Sequence, residues 1–353
     1  MGLLDFKLTY RWLYWTAPTD EPPAAPEGLT RHWVKTSSGR IEVLSNQGAN
    51  PTTSKAPIFF VHGGMGSAWV WSEYMQYFAK HDIPCYAVSL RGHGNSWHPS
   101  YFRMVYLTTR RNLADDAVAA IKWVQERQGS EVMLVGHSSG GGLSQGILSA
   151  KQARVMGLAL LGAVPGTGFS SYGVYTNWAM FDPWFAVRML FHGWHPNSPL
   201  SHPLLVKQAF FGDQMPESAV LEFQKHVNRY ESFLWPISML RPFSSAASII
   251  TSIAGWGSSE RIMVLAGTQD RMMTHDVMSS LAAFYRKAFA DLVSGKKLDA
   301  KVEAVKPLDG EANDDDEGSG VRLAWVPGAG HHLQNDVMWE FGAKKLFEFY
   351  EQL

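Results

Sequence analysis

Four short, almost wholly apolar runs, APIFFVHG (56–63), PCYAVSL (84–90), EVMLVG (131–136) and VMGLALLGA (155–163), alternate with stretches of helical period. Strands that are apolar on both faces must be covered on both faces, and helices that connect successive strands do so when the strands run parallel. The spacing therefore predicts an α/β fold, with a mostly parallel sheet between two layers of helices. Residues 69–80 and 109–128 supply two of those helices. The alternation stops near Gly166. It resumes with RIMVLAG (261–267), a helix near 275–293, VRLAWVPG (321–328) and a final helix from about Asp336.

The interruption reads as an insertion inside one domain. Residues 166–256 hold 17 of the 45 aromatic residues but only 10 charged ones, and seven prolines cut them into short, largely helical pieces. The expected organisation is an N-terminal arm and Pro-rich linker (1–28), a core made of 29–165 and 257–353, and a cap or lid (166–256). Within the arm, residues 4–12 alternate apolar and polar, which predicts a half-buried strand or arm. RHWVKTSSGRIEVLSNQG predicts a hairpin turning at Ser38-Gly39.

Charge excludes some partners. Six of the 32 acidic residues lie in DGEANDDDE (309–317), read as a solvated loop, which leaves 31 basic against 26 acidic residues elsewhere. That small excess gives no phosphate-binding surface, so no nucleic-acid partner is expected. The longest uncharged run, Val155–Phe181, contains Pro165 and five glycines and does not read as a membrane span. One cysteine, Cys85, cannot form an internal disulfide, and no signal peptide is legible; both fit a cytoplasmic protein. Nothing fixes an oligomeric state, and a homodimer stays open.

The chemistry gathers after the strands. Gly136-His137-Ser138-Ser139-Gly140 fits G-x-S-x-G directly after an apolar run and before a small-residue helix, a context that exposes a serine hydroxyl above the sheet. The glycines leave room that a Cβ would fill, and the Ser139 amide points at any developing oxyanion. A second match, Gly142-Leu143-Ser144-Gln145-Gly146, has no strand before it and reads as helix packing. A serine needs a base, and the base needs an orienting carboxylate. His331, in the glycine-containing loop after VRLAWVPG, is the expected base, with His332 as its neighbouring competitor. Asp270, after the preceding strand, is the expected acid, with Asp276 as the alternative. HGGMGS (62–67) places the amide of Gly64 or Met65 opposite Ser139. In RGHGNS (91–96), His93 reads as a loop histidine. His192 and His195 lack a third ligand, and no nucleotide-binding glycine motif is present, so neither metal nor cofactor is expected.

Taken in order, HGGMGS, RGHGNS, GHSSG, GTQDR and GAGHH resemble the α/β-hydrolase superfamily, in particular its lysophospholipase, monoacylglycerol-lipase and esterase-like branch, over roughly residues 30–165 and 258–353. The resemblance implies an α/β-hydrolase fold with Ser138 as nucleophile, His331 as base, Asp270 as acid and Gly64 with Ser139 as oxyanion donors. A serine at 138 separates the chain from the dehalogenase and epoxide-hydrolase branches, which use aspartate there. The expected function is hydrolysis of a carboxylic ester or lactone of a hydrophobic small molecule. C–C bond hydrolysis, thioester cleavage, lyase or cyclase chemistry of a polyketide type, and a non-catalytic binding pocket are the alternatives. The low charge of the insertion predicts a largely apolar pocket beneath it, for which His137, Trp69, Tyr172, Tyr175, Trp178, Phe181 and Trp184 are the candidate walls.

Overall fold

The computed structural model describes residues 6–46, 55–168, 174–257, 259–300, 315–316 and 318–353. Its centre is one eight-stranded sheet: β1 (Thr30–Lys35), β2 (Arg40–Ser45), β3 (Ile58–Val61), β4 (Cys85–Val88), β5 (Met133–His137), β6 (Gly157–Leu161), β7 (Ile262–Gly267) and β8 (Val321–Val326). The order across the sheet is β1-β2-β4-β3-β5-β6-β7-β8. Strands β3 to β8 are parallel, while the β1–β2 hairpin joins β4 antiparallel and lies at one edge. This is the α/β-hydrolase fold.

The apolar runs explain the layering. In β3, Phe59 and Val61 join the core on one face of the sheet while Ile58 and Phe60 join the core on the other, and all four are fully buried. The helix Arg110–Gln128 shows how local chemistry sets the boundaries. Thr109 Oγ1 accepts from the Asn112 amide and Asn112 Oδ1 accepts from the Thr109 amide, and the helix stops at Gly129, whose φ is +66°.

Three segments take a definite form in the structure. The arm forms no strand: among the described residues, Phe6 packs 5.5 Å from the Trp184 ring, Tyr10 Oη donates to the Phe191 carbonyl at 3.0 Å, and the His195 ring donates to the Tyr14 carbonyl at 2.8 Å. Its aromatic side chains thus find rings of the 166–256 segment rather than a sheet edge. That segment has no core of its own, because Phe223, Trp235 and Met239 are continuous with the core on one sheet face. The acidic stretch is tied down at its described end, where Asp315 pairs with Lys345 and accepts from the Trp325 amide, and Asp316 pairs with Arg286 at 2.6 Å.

Histidines cluster, buried, at the C-terminal ends of the strands. Burial, reinforced by neighbouring histidines, holds His62 and His137 well below the ordinary histidine value, and lowers His332 to about 3. Unfolded, each would bind a proton near pH 6.5, so their contribution to stability is complete above that value and is lost as pH falls. His332 alone accounts for about 2 kcal/mol by pH 5. Thermal unfolding should therefore show a lower Tm at pH 5 than at pH 7.5; an unchanged or higher Tm at pH 5 would contradict these burial effects.

Candidate active site

The site is built from loops that leave the sheet at the carboxyl ends of β3, β5, β7 and β8, where ligands collect in parallel sheets. The turn from β5 into the helix Ser138–Ser149 is sharp enough to force Ser138 to φ +53°, a conformation that costs an L-residue about 1–2 kcal/mol. The surrounding glycines are sterically required. A Cβ on Gly140 would sit 2.1 Å from the His62 carbonyl oxygen, and one on Gly136 would sit 2.6 Å from the Gly141 Cα.

Ser138 Oγ lies 2.9 Å from His331 Nε2, and His331 Nδ1 lies 2.7 Å from Asp270 Oδ2. A carboxylate only accepts, so Nδ1 carries the proton and Nε2 is left to accept from the serine hydroxyl. The other Asp270 oxygen takes the amides of Met272 and Met273, each at 2.8 Å. Both the His331 and Asp270 side chains are buried. Their hydrogen bond is therefore shielded from competing water. Such a line can draw the proton from Ser138 Oγ as it attacks an electrophile.

The competitors stand elsewhere. Ser144 Oγ donates to the Gly140 carbonyl inside its helix. His332 is packed among Phe210, Phe211 and Phe223. Asp276 is fully exposed beside His275. Arg271, a possible partner for Asp270, pairs with Asp213 instead.

Facing Ser138, the Gly64 amide donates to Ser139 Oγ at 2.7 Å, whereas the Met65 amide donates to Glu231 Oε2 at 2.9 Å. Of the two amides expected to face Ser139, Met65's is thus already engaged by a carboxylate.

A cavity of about 210 Å³ opens on Ser138 and His331. Its walls include Trp178, Leu200, Phe210, Trp235 and Met239 of the 166–256 segment, and Met272 and Met273 from the loop after β7. Of the candidate walls among the described residues, only Trp178 takes part. His137 is buried behind the site, where its ring donates to the His331 carbonyl at 2.9 Å. Trp69 packs edge-on against Phe223, Phe181 lies tilted beside Trp178, and Trp184 meets the arm at Phe6. Tyr172 lies outside the described residues, as does the side chain of Tyr175.

Sequence reasoning missed Glu231 and understated His93, which lies 2.8 Å from it. A lone acid among the aromatic and small residues of RYESFLW is the only local signal. Their separation of 138 residues hides the pairing.

Residues 58–341 match the model of the alpha/beta hydrolase family. Among solved structures, the chain is similar to a thermophilic esterase from Thermogutta terrifontis, with TM-score 0.58 and 13% identity over 91% of this chain and 98% of that one. It is also similar to an esterase from Exiguobacterium antarcticum, with TM-score 0.57 and 14% identity over 91% and 100%. A haloalkane dehalogenase from Agrobacterium tumefaciens gives TM-score 0.54 and 14% identity over 92% and 97%. At these identities the likeness is one of fold. The family match spans most of the chain, which belongs to the alpha/beta hydrolase family.

Proposed function

We propose that this hydrolase is a serine esterase or lactonase for hydrophobic small molecules, working through an acyl-enzyme on Ser138 with residues 166–256 as its cap. The observation that carries the reading is the unbroken hydrogen-bond line Ser138–His331–Asp270 opening on an apolar cavity.

In the proposed reaction Ser138 Oγ attacks the carbonyl carbon while His331 Nε2 takes the hydroxyl proton, and Asp270 stabilises the imidazolium formed. The carbonyl oxygen becomes an oxyanion between the amides of Gly64 and Ser139. For that to happen the Gly64 amide exchanges its present acceptor, Ser139 Oγ, for the substrate oxygen. Collapse breaks the ester bond, and His331 passes its proton to the departing alcohol. Water then attacks the acyl group, giving its proton to Nε2, and the acyl–Oγ bond breaks as Nε2 passes that proton to Ser138 Oγ, releasing the acid.

Cavity chemistry supports the substrate class. An anionic substrate would be stripped of water among Trp178, Phe210, Trp235 and Met239, with Glu231 as the charged wall residue. Cys85, buried in β4, forms no disulfide, in keeping with a cytoplasmic enzyme.

A fluorophosphonate probe should label Ser138, and Ser138→Ala should lose both labelling and on the order of 10⁶-fold in kcat while keeping the wild-type circular dichroism spectrum. Full activity in that variant, or its loss in Ser144→Ala, would overturn the assignment. Asp270→Asn should cost about 10⁴-fold in kcat, because the amide favours the wrong imidazole tautomer; Asp276→Asn should cost nothing. Across p-nitrophenyl esters, KM should fall as the acyl chain lengthens, at about 0.8 kcal/mol per buried methylene until the cavity is full. Preference for anionic or very small polar esters would contradict the apolar cavity.

A further inference from the structure

Two groups that the proposed reaction does not use meet at the loop after β3. At its centre, Met65 sits at φ +65°, a left-handed conformation that a methionine holds only where its surroundings enforce it. The enforcement comes from the 166–256 segment. The Met65 amide donates to Glu231 Oε2 at 2.9 Å, the Met65 carbonyl accepts from the Asn228 amide at 3.1 Å, and the Gly66 carbonyl accepts from Asn228 Nδ2 at 2.7 Å. These bonds hold both sides of Met65. Asn228 is itself fixed, since its Oδ1 takes the Gly94 amide at 3.1 Å.

Glu231 brings a negative charge to the place where the oxyanion would form, and that charge needs an answer. His93 supplies it. Its Nε2 lies 2.8 Å from Glu231 Oε2 and its Nδ1 lies 2.8 Å from the Arg91 carbonyl oxygen. Both partners accept only, so both ring nitrogens donate and the ring is an imidazolium. The ring of His62, 4.7 Å away, does not compete for that charge: its Nδ1 donates to the Gly63 carbonyl and its Nε2 accepts from the Leu90 amide, so it is neutral. Arg91 is likewise committed, to Asp116.

We propose that Asn228 and Glu231 are positioning residues through which the cap clamps the loop Gly64–Gly66 and so aims the Gly64 amide, while His93 cancels the charge of Glu231. The oxyanion site is then only half a property of the sheet. The clamp rests on the reading of Ser138 as nucleophile, because only then does the aim of the Gly64 amide govern a rate.

Steady-state kinetics on a p-nitrophenyl ester, with hydrogen exchange of the peptide spanning residues 62–70, test it. Asn228→Ala and Glu231→Ala should each lower kcat by about 10- to 100-fold with KM within about threefold of wild type, and exchange in the peptide should rise. Glu231→Gln, which keeps an acceptor for the Met65 amide, should recover most of that loss. Trp178→Ala, on the same cavity wall but outside the clamp, should instead raise KM. Glu231→Ala leaves an imidazolium buried without its partner, so Asn228→Ala, which disturbs no charge, decides the matter if that variant fails to fold. Unchanged kcat and unchanged exchange in Asn228→Ala would overturn the clamp and leave ester hydrolysis standing. No turnover and no labelling of Ser138 in the wild-type protein would overturn the esterase reading instead, and exchange in the peptide would still decide whether the loop is held.

Discussion

The turn at Ser138 is the constraint on which the site depends. A serine forced to positive φ between strand and helix lifts its hydroxyl clear of the sheet, and the backbone comes so close to the His62 carbonyl that no side chain fits at position 140. The strain is carried by the fully buried centre of the sheet, in which β3 and β6 flank β5 on both sides. Once the turn is fixed, the loops after β7 and β8 need only deliver a carboxylate and an imidazole to one side of it.

Charge is rationed around that turn. His62, His137 and His332 are kept neutral by burial, which costs less than leaving three cations together in a low-dielectric interior. His93 is the exception: burial opposes its proton, but Glu231 and the Arg91 carbonyl outweigh it. Glu231 therefore reaches the cavity wall as half of a neutral pair. An apolar cavity can tolerate an acid on those terms, whereas an isolated carboxylate there would be protonated or expelled.

The segment between β6 and β7 is held by more than its own packing. The arm lies along it through Phe6, Tyr10, Tyr14 and Trp15, which places two parts of the chain nearly two hundred residues apart in one aromatic layer. On its inner side it contributes Trp235 and Met239 both to the core and to the cavity. A segment anchored on both sides can serve as a wall of fixed shape, which is what the proposed clamp on Gly64–Gly66 requires.

The sequence by itself determined the sheet, because short, wholly apolar runs that alternate with helical stretches admit buried parallel strands and little else. It also singled out Ser138, Asp270 and His331 as candidates, since each follows a strand end within a turn-forming context that local chemistry dictates, and the fold brings the three into one hydrogen-bonded line. The alternation of residues 4–12 left strand or arm open for a related reason: alternation specifies two faces, but whether a sheet edge or a layer of rings covers one of them is settled at a distance. Only the tertiary structure decided that Trp178 faces the cavity while Trp69, Phe181 and Trp184 do not, because aromatic residues of equal hydrophobicity differ only in which neighbour reaches them first. It alone decided the pairing of His93 with Glu231, since an ion pair between loops 138 residues apart leaves no periodicity or spacing in the chain and exists only where the fold brings both out of water together.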